Sequence, residues 1–483
     1  MLQSIYYMTY TKNVITKKSQ NISDWYNAVV LQAKLADYGP SKGTMIFMPY
    51  GYAIWELVQK AMDARIKERG VENAYFPLFI PESFLKKEKE HVEGFAPELA
   101  VVTIGGGKEL EEKLIIRPTS ETIMYDAYAK WIKSWRDLPV LINQWNNVVR
   151  WEKRTYLFLR TTEFLWQEGH TAHATQSEDY ETVLWAMTMY SDIYKDYFAL
   201  AGYVGKKSQS EKFAGADTTL TYESLTPDGK ALQSCTSHDL GQNFAKAFDI
   251  KFQDKDGELK YVWQTSWGFS TRSIGGLILA HGDDNGLLLP PRLAPTQVII
   301  IPVNTSEKIL AACSEIKNNL EKAGVRAKVD SRGDETLGYR INKWELKGAP
   351  MRIEVGEKEI AAKQITLVRR DTSEKVQVAE TALTTEVGKI LEDIQENLYK
   401  KSLEHLHKNT FDATSYDEFK KIMETSRGFI KAFWCENSTC ETTIKEETKA
   451  TTRCLPLDSA EEKGVCVHCG LPATHKWLFA QAY

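Results

Sequence analysis

The apolar runs of this 483-residue chain change character at Pro290-Pro291, and that break limits the folds open to it. Upstream, the runs at 114–116, 140–142, 157–159 and 264–269 are short, bounded by turn residues and without helical spacing. Few alternate with helices, so they predict a mixed α+β domain around an antiparallel sheet. Ahead of them, Ile54, Leu57, Val58, Ala61, Met62 and Ile66 recur at helical spacing. They predict one long helix closed by Gly70 and followed by a strand over Ala74-Tyr75-Phe76-Pro77. Downstream the texture is strand 298–301, helix 306–324, then strands at 325–329, 351–355 and 365–368, the alternation of a small α/β domain. A charged helical stretch over 381–407 leads into a final segment. The chain is therefore expected to divide into 1–290, 291–400 and 401–483.

Charge and hydropathy exclude several classes. Lys and Arg number 61 against 65 Asp and Glu, so no basic excess marks the whole chain as a nucleic-acid binder, and any RNA contact must come from local patches. The longest apolar run, 298–303, is far below the ~18 residues that suggest a membrane span. The N-terminus carries Lys12, Lys17 and Lys18 but no Arg and no signal-type core, which argues against a secretory address; Met8 is a second possible start. A soluble, cytoplasmic protein is expected.

The cysteines are unevenly placed. Cys235 and Cys313 stand alone, whereas Cys435, Cys440, Cys454, Cys466 and Cys469 fall within the last fifty residues, which favours a metal site in a reducing compartment over a disulfide framework. Two pairs, Cys435-x₄-Cys440 and Cys466-x₂-Cys469, the second flanked by Gly464 and Gly470, suit tetrahedral Zn²⁺ in a structural role. Cys454, His468 and His475 are rival ligands, and unrelated free thiols are the alternative.

One further segment carries chemistry. Residues 148–152, a polar turn with Lys153, Arg154 and Thr155, and residues 157–164 read as a hairpin whose strands bear Arg150, Glu152, Arg160 and Phe164. An arginine fork suits phosphate oxygens, a carboxylate accepts from an exocyclic amine, and an aromatic ring stacks on a base. An ATP site is one reading; solvated surface charge on an ordinary hairpin is the other.

The string Arg150-Trp151-Glu152 followed by Arg160-Thr161-Thr162-Glu163-Phe164 resembles the ATP hairpin of class II aminoacyl-tRNA synthetases. The long helix and the strand ending at Pro77 resemble that class's first motif, which builds a dimer interface. Ser266-Trp267-Gly268-Phe269-Ser270-Thr271-Arg272 and the apolar stretch after it resemble the third, with an arginine for the γ-phosphate. Within the class, Arg117-Pro118-Thr119-Ser120-Glu121-Thr122, the string from Phe164 through Trp166-Gln167-Glu168-Gly169-His170 to Thr171, Thr236-Ser237-His238-Asp239-Leu240-Gly241-Gln242-Asn243-Phe244 and Trp344-Glu345-Leu346-Lys347-Gly348 resemble the prolyl-tRNA synthetases of archaeal and eukaryotic type over nearly the whole chain.

That resemblance implies a proline pocket of Thr119, Glu121, Arg150 and His238, with Glu121 accepting from the secondary ammonium and Arg150 bridging carboxylate and α-phosphate. It implies an ATP site of Arg150, Glu152, Phe164, Gln233, Thr236 and Arg272, with Arg150 and Arg272 catalytic and Mg²⁺ accompanying ATP. It also implies a homodimer, tRNA(Pro) as the acceptor, an anticodon-binding α/β domain in which Arg340, Lys347 and Arg352 are candidates for reading bases, and a C-terminal extension whose final residue, Tyr483, reaches toward the active site. Only about a hundred residues separate Phe164 from Gly268, too few for the large editing insert of bacterial-type relatives. A synthetase-like RNA-binding protein without catalysis and a threonine-charging relative are the rival readings.

Overall fold

The structure, a computed structural model, describes residues 15–85 and 99–483; the readings placed on Met8 and Lys12 lie outside the described residues. Helix α1 (Ile22–Gln32) starts on Asn21, whose side chain accepts from the Ser23 and Asp24 amides, satisfying donors that the first turn leaves without partners. Helix α2 (Pro49–Glu68) opens on a proline, which suits a position where no amide is needed. It buries Ile54, Trp55, Val58, Met62 and Ile66 at the spacing expected, and Gly70, at φ +85°, turns the chain out of it. The strand expected at 74–77 lies earlier. It is β1 (Glu72–Asn73), paired in parallel with Ile142 and Asn143. Pairing stops because the Phe76 amide donates to the Gln144 side chain and Pro77 has no amide to give.

The antiparallel sheet predicted upstream of Pro290 is present. Its strands are β2 (Val140–Val149), β3 (Glu163–His173), β4 (Gly202–Lys206), β5 (Thr218–Leu225), β6 (Ala231–Gly241) and β7 (Trp263–Ser270), in the order β4-β5-β6-β7-β3-β2-β1. Three helices frame it: α3 (Glu121–Trp131), α4 (Gln176–Ile193) and α5 (Arg272–His281). Helix α4 covers one face, where Tyr190 packs against Trp267 and Phe269 of β7. Gly169 makes this possible, since a Cβ there would lie 2.1 Å from the Trp267 ring. The other face of β7 presents Ser266, Gly268 and Ser270 by simple alternation. Helix α5 is fixed at its far end by Lys18, whose Nζ donates to the carbonyls of Leu279 and Gly282 at 2.6 Å each. A cation satisfies carbonyl groups that the last turn leaves open.

Asp179, in the first turn of α4, is fully buried. Burial first, then the neighbouring carboxyls of Asp239 and Asp217, pushes its pKa up to about 9. The unfolded chain releases this proton near pH 4 while the folded chain keeps it, so the group contributes a penalty that grows as pH rises from about 4 to about 9. Asp179→Asn keeps the shape without the titration. Its thermal midpoint is expected to exceed that of the wild type by a margin that widens from pH 5.5 to pH 8.5; a margin independent of pH would contradict this.

Beyond Pro290, β8 (Val298–Pro302), α6 (Glu307–Lys322), β9 (Ala327–Val329), α7 (Leu337–Leu346), β10 (Met351–Val355), β11 (Gln364–Arg369) and β12 (Lys375–Ala379) form the expected α/β unit. Its sheet order is β9-β8-β10-β11-β12, the first three strands parallel and the last two antiparallel. Val298, Ile300, Ile309, Cys313, Met351 and Leu367 lie in a core of its own. Helix α8 (Leu383–Lys408) returns to the first unit, where Ile394 and Leu398 meet Ala199 and Leu288.

The tail contributes β13 (Thr410–Asp412), β14 (Phe429–Phe433), α9 (Ser438–Thr448), β15 (Ala450–Pro456) and β16 (Lys476–Gln481). Strand β15 pairs with β4 through Leu455 to Lys206 and Pro456 to Gly205, so the tail extends the sheet that carries the first unit's strands. Beneath this junction Glu223 receives Lys207 at 2.8 Å and Arg453 at 2.7 Å, all three nearly inaccessible to solvent. Breaking such a buried cluster by removing one partner costs about 3–5 kcal/mol.

Candidate active site

The open face of the sheet is a lattice of paired strands. Register places His238 of β6, Ser266 of β7 and His170 of β3 in one row, and Thr236, Gly268, Glu168 and, on β2, Gln144 in the next. Ser270, Trp166 and Asn146 make a third. Alternation along β3 puts Phe164, Trp166, Glu168 and His170 on this same side. Gln233 has the opposite parity to Thr236, yet it joins them because the β5–β6 ladder skips Ser234 in a bulge opposite Tyr222 and Glu223.

Above this floor is a cleft of about 180 Å³. Of the sequence-derived substrate residues, Thr119, Glu121, Arg150, Phe164, Gln233, Thr236, His238 and Arg272 all line it. Glu152 does not; its Oε2 accepts from Arg160 Nε at 2.8 Å. The hairpin strands are also shorter than expected. Arg150, Glu152 and Arg160 lie in the loop between β2 and β3, and only Phe164 is on a strand. The run 157–159 is a turn because Leu157, Phe158 and Leu159 are all buried. A strand would bury alternate residues; here Phe158 takes φ +62° and the Leu157 carbonyl accepts from Tyr26.

Each wall of the cleft has a local cause. Arg117, fully buried, donates to the carbonyls of Phe76 and Asn147 at 2.6 and 2.8 Å, pinning the loop that precedes α3. Glu121 stands at the first position of α3, where the helix dipole favours a carboxylate, and accepts from Thr119 Oγ1 at 2.5 Å. Arg150 donates through Nε to the Pro118 carbonyl at 3.1 Å, and its Cζ lies 5.6 and 5.5 Å from the Phe164 and Trp166 rings. Arg272 opens α5 and donates through Nε to the Leu159 carbonyl at 3.0 Å. Burial first, then the charges of Arg150 and Arg160, lowers its pKa from the usual value, and it makes no ion pair among the described residues. Clustered guanidiniums in a partly dehydrated cleft are a site for an anion.

The sequence reading gave no role to Trp166, Glu168, His170, Phe213 or Thr219, all of which line the cleft. Glu168 accepts from Ser120 Oγ at 2.5 Å, Asn146 Nδ2 at 2.6 Å, Gln144 Nε2 at 3.0 Å, the Ser120 amide at 3.2 Å and His170 Nε2 at 3.0 Å. Burial alone would raise its pKa, but contact with His170 and the other donors outweighs burial and holds it below the ordinary carboxylate range. Burial likewise opposes charge on His170, but Glu168 and Glu121 leave it above the ordinary imidazole value. His238 is the reverse case. Burial, then the charges of His170 and Arg150, pushes it down to about 3, so it is neutral, with Nδ1 on Thr219 Oγ1 at 2.9 Å and the Phe213 ring 4.5 Å away.

In the α/β unit, a second cleft is lined by Trp344, Glu345, Arg352, Arg369 and Lys375 among others. Arg352 lies in it, held by Glu345 and Glu354 at 2.9 Å each. Arg340 is buried and donates to the Asp330 carbonyl at 2.9 Å, so it faces the interior and cannot read a base from there. Lys347 is drawn under the first unit, 4.3 Å from the Tyr50 ring, and burial lowers its pKa to about 8.

In the tail, the sulfurs of Cys435, Cys440, Cys466 and Cys469 lie within 4.8 Å of one another. Four sulfurs at ~2.3 Å from a tetrahedral ion would be roughly 3.8 Å apart, so the set fits Zn²⁺. Cys469 Sγ donates to Cys435 Sγ at 3.6 Å, with no disulfide between them. Cys469 is held down to about 7, first by a hydrogen bond from the Leu471 amide. Of the rival ligands, Cys454 is buried in a separate cluster against Leu478 and Phe429, His475 contacts Thr474 and Glu436, and His468 Nδ1 is 3.4 Å from Cys440 Sγ. Tyr483 donates its amide to the Ala231 carbonyl at 3.0 Å and packs 6.1 Å from Tyr156 in the β2–β3 loop.

Comparison with known proteins agrees in each part. Residues 102–281 match the tRNA synthetase class II core domain (G, H, P, S and T), 297–390 an anticodon binding domain and 416–483 the C-terminal domain of prolyl-tRNA synthetase. The chain is 54% identical over 479 residues to the proline–tRNA ligase of Chlorobium limicola, covering 97% of this chain and 99% of that one. It is 51% identical over 474 residues to that of Natranaerobius thermophilus, covering 97% and 98%. The corresponding protein of Symbiobacterium thermophilum is 52% identical over 480 residues, again covering 97% and 98%.

Proposed function

Because this chain belongs to the prolyl-tRNA synthetases, we propose that it uses the cleft above β3, β6 and β7 to join proline to ATP and then to pass the prolyl group to tRNA. It is a proline–tRNA ligase of class II. The observation that carries the residue-level reading is that an anion-binding pair, Arg150 and Arg272, and an ammonium acceptor, Glu121, line one cleft. Proline carries the complementary groups, and ATP the triphosphate.

In this reading Glu121 and Thr119 receive the secondary ammonium, and neutral His238 forms part of the pocket wall. Arg150 holds the proline carboxylate against the α-phosphate, while Phe164, Gln233 and Thr236 hold the nucleotide, with Glu152 fixing the loop through Arg160. A carboxylate oxygen attacks the α-phosphorus in line and pyrophosphate leaves; Mg²⁺ bound with ATP would neutralise charge on the phosphates. The terminal ribose hydroxyl of tRNA then attacks the prolyl carbonyl and AMP leaves. No side-chain nucleophile takes part. Positioning and charge stabilisation by Arg150 and Arg272 supply the rate.

The rest of the molecule fits the same reading. The cleft at Trp344, Arg352 and Lys375 offers an aromatic ring and cations suited to splayed anticodon bases. Exposed Tyr38 and Ile46, on the paired strands Ala36–Tyr38 and Met45–Phe47, together with Tyr52 of α2 and Phe79, are apolar surface a homodimer would cover. Seven free cysteines suit the cytoplasm, and no helix among the described residues is long and apolar enough to cross a membrane. We divide the chain into catalytic (1–290), anticodon-binding (291–400) and zinc-binding (401–483) parts. The four tail cysteines would hold Zn²⁺, which would brace a segment with a small core. Metal analysis is expected to give about one zinc per chain, and Cys469→Ser to lose the metal and lower the thermal midpoint; full zinc content in that variant would count against the site.

A threonine-charging enzyme is disfavoured because, among the described residues, the only metal-competent group of His, Cys, Asp and Glu is in the tail, away from the cleft. A binding-only protein has no use for two guanidiniums beside an ammonium acceptor in one cleft. Charging of a tRNA(Pro) transcript with labelled proline tests the reading; a folded, zinc-replete protein that charges nothing would return the case to RNA binding alone.

A further inference from the structure

We propose that Glu441, in the tail, is a positioning residue for the amino-acid side of the cleft, acting through the loop between β4 and β5. The inference rests on the reading of the cleft given above. The loop comprises residues 207–217 and carries Phe213 and Glu211, both of which line the cleft. Phe213 lies against His238 with ring centres 4.5 Å apart, and its amide donates to Thr219 Oγ1, the atom that also meets His238. Phe213, Thr219 and His238 thus form one wall.

The far end of the loop is held by Asn243 Nδ2, which donates to the Gly215 carbonyl at 3.1 Å, and by the Asp217 amide on the Asp239 carbonyl at 2.8 Å; its near end turns on Ser208. The amides of Glu211 and Lys212 turn back to the Ser208 carbonyl at 3.2 and 2.9 Å, which makes Ser208 the pivot on which Phe213 is aimed. Ser208 is fixed from outside. Its Oγ donates to Glu441 Oε1 at 2.9 Å, Ser210 Oγ donates to Oε2, and Thr452 Oγ1 of β15 donates to Oε1. Glu441 itself is only 7% exposed. One carboxylate therefore gathers three hydroxyls, two from the loop and one from the tail's own sheet. Charge-assisted O–H···O⁻ bonds of this kind are stronger than neutral ones, and a buried carboxylate has no competing solvent.

The arrangement gives the tail a defined task. A turn at 208–212 without its anchor would sample more conformations, and holding Phe213 against His238 would then draw on the binding energy of a very small ligand. Glu441 orders the loop before proline arrives. Phosphate contacts of ATP come from Arg150 and Arg272, on other elements, so the effect falls on proline and spares the nucleotide.

The test is steady-state pyrophosphate exchange with the full-length, zinc-replete enzyme, measuring KM for proline and for ATP separately. Glu441→Ala is expected to raise the proline KM about tenfold while the ATP KM stays within about twofold, and Glu441→Gln to recover part of the loss. Ser208→Ala combined with Ser210→Ala should reproduce the shift from the catalytic side with zinc content unchanged, and adding Glu441→Ala to that pair should raise KM little further, as coupled residues require. The serine variants keep the test decisive if Glu441→Ala does not fold. A proline KM unmoved in the serine pair, or proline and ATP KM rising together, would overturn the proposal. Absence of proline-dependent exchange in the wild type would instead overturn the functional reading on which it stands.

Discussion

Arg150→Ala is expected to lower proline-dependent exchange of pyrophosphate into ATP by at least ~10²-fold, the scale for losing a donor that stabilises charge in a transition state. Its Nε is anchored on the Pro118 carbonyl, and the guanidinium lies beside two aromatic rings, so the fork is held in place before substrate binds. Burial first, and then the charge of Arg150, lowers the pKa of Arg272, as two guanidiniums sharing a partly dehydrated cleft require. Arg150→Lys should rescue little, since an ammonium offers neither the planar fork nor the stacking surface. Near-normal exchange by Arg150→Ala, in folded protein, would remove this residue from the chemistry.

Glu168→Ala is the second large effect, and it acts mainly on stability. Five donors converge on this carboxylate, one of them from an imidazole held above its usual pKa. Removing it strips these buried groups of the acceptor they share, a loss of about 3–5 kcal/mol. The thermal midpoint should fall by roughly 5 °C or more. Because Ser120 precedes Glu121 and loses its anchor, the remaining folded enzyme should also bind proline more weakly. A thermal midpoint within ~1 °C of the wild type would contradict the account of this cluster.

What the sequence made legible followed from local periodicity. Helix α2 was readable because Ile54, Val58, Met62 and Ile66 repeat at 3.6 residues, and the α/β unit because its strands and helices alternate. Glu168 and His170 were within reach. Once Phe164 was placed at the site, a period of two along β3 carried Trp166, Glu168 and His170 to the same face. Gln233 was assigned by resemblance, but its orientation depends on a bulge at Ser234 that no periodicity reveals.

Tertiary contacts hid the rest. Residues 157–159 have the composition of a strand, yet three successive side chains enter the core and force a turn. Arg340 carries a charge suited to RNA, but α7 rotates it inward onto Asp330. The link from Glu441 to Ser208 spans 233 residues of sequence and exists only because β15 docks on β4.

The most direct test of the central claim is proline-dependent exchange of pyrophosphate into ATP by the wild-type enzyme without tRNA, beside alanine and threonine. Strong exchange with proline, weak exchange with alanine and none with threonine is expected, because a pocket rejects a smaller apolar ligand by only about 1–3 kcal/mol per missing methylene. No exchange with any of the three, from folded and zinc-replete protein, would contradict the assignment of the cleft as the site of amino-acid activation.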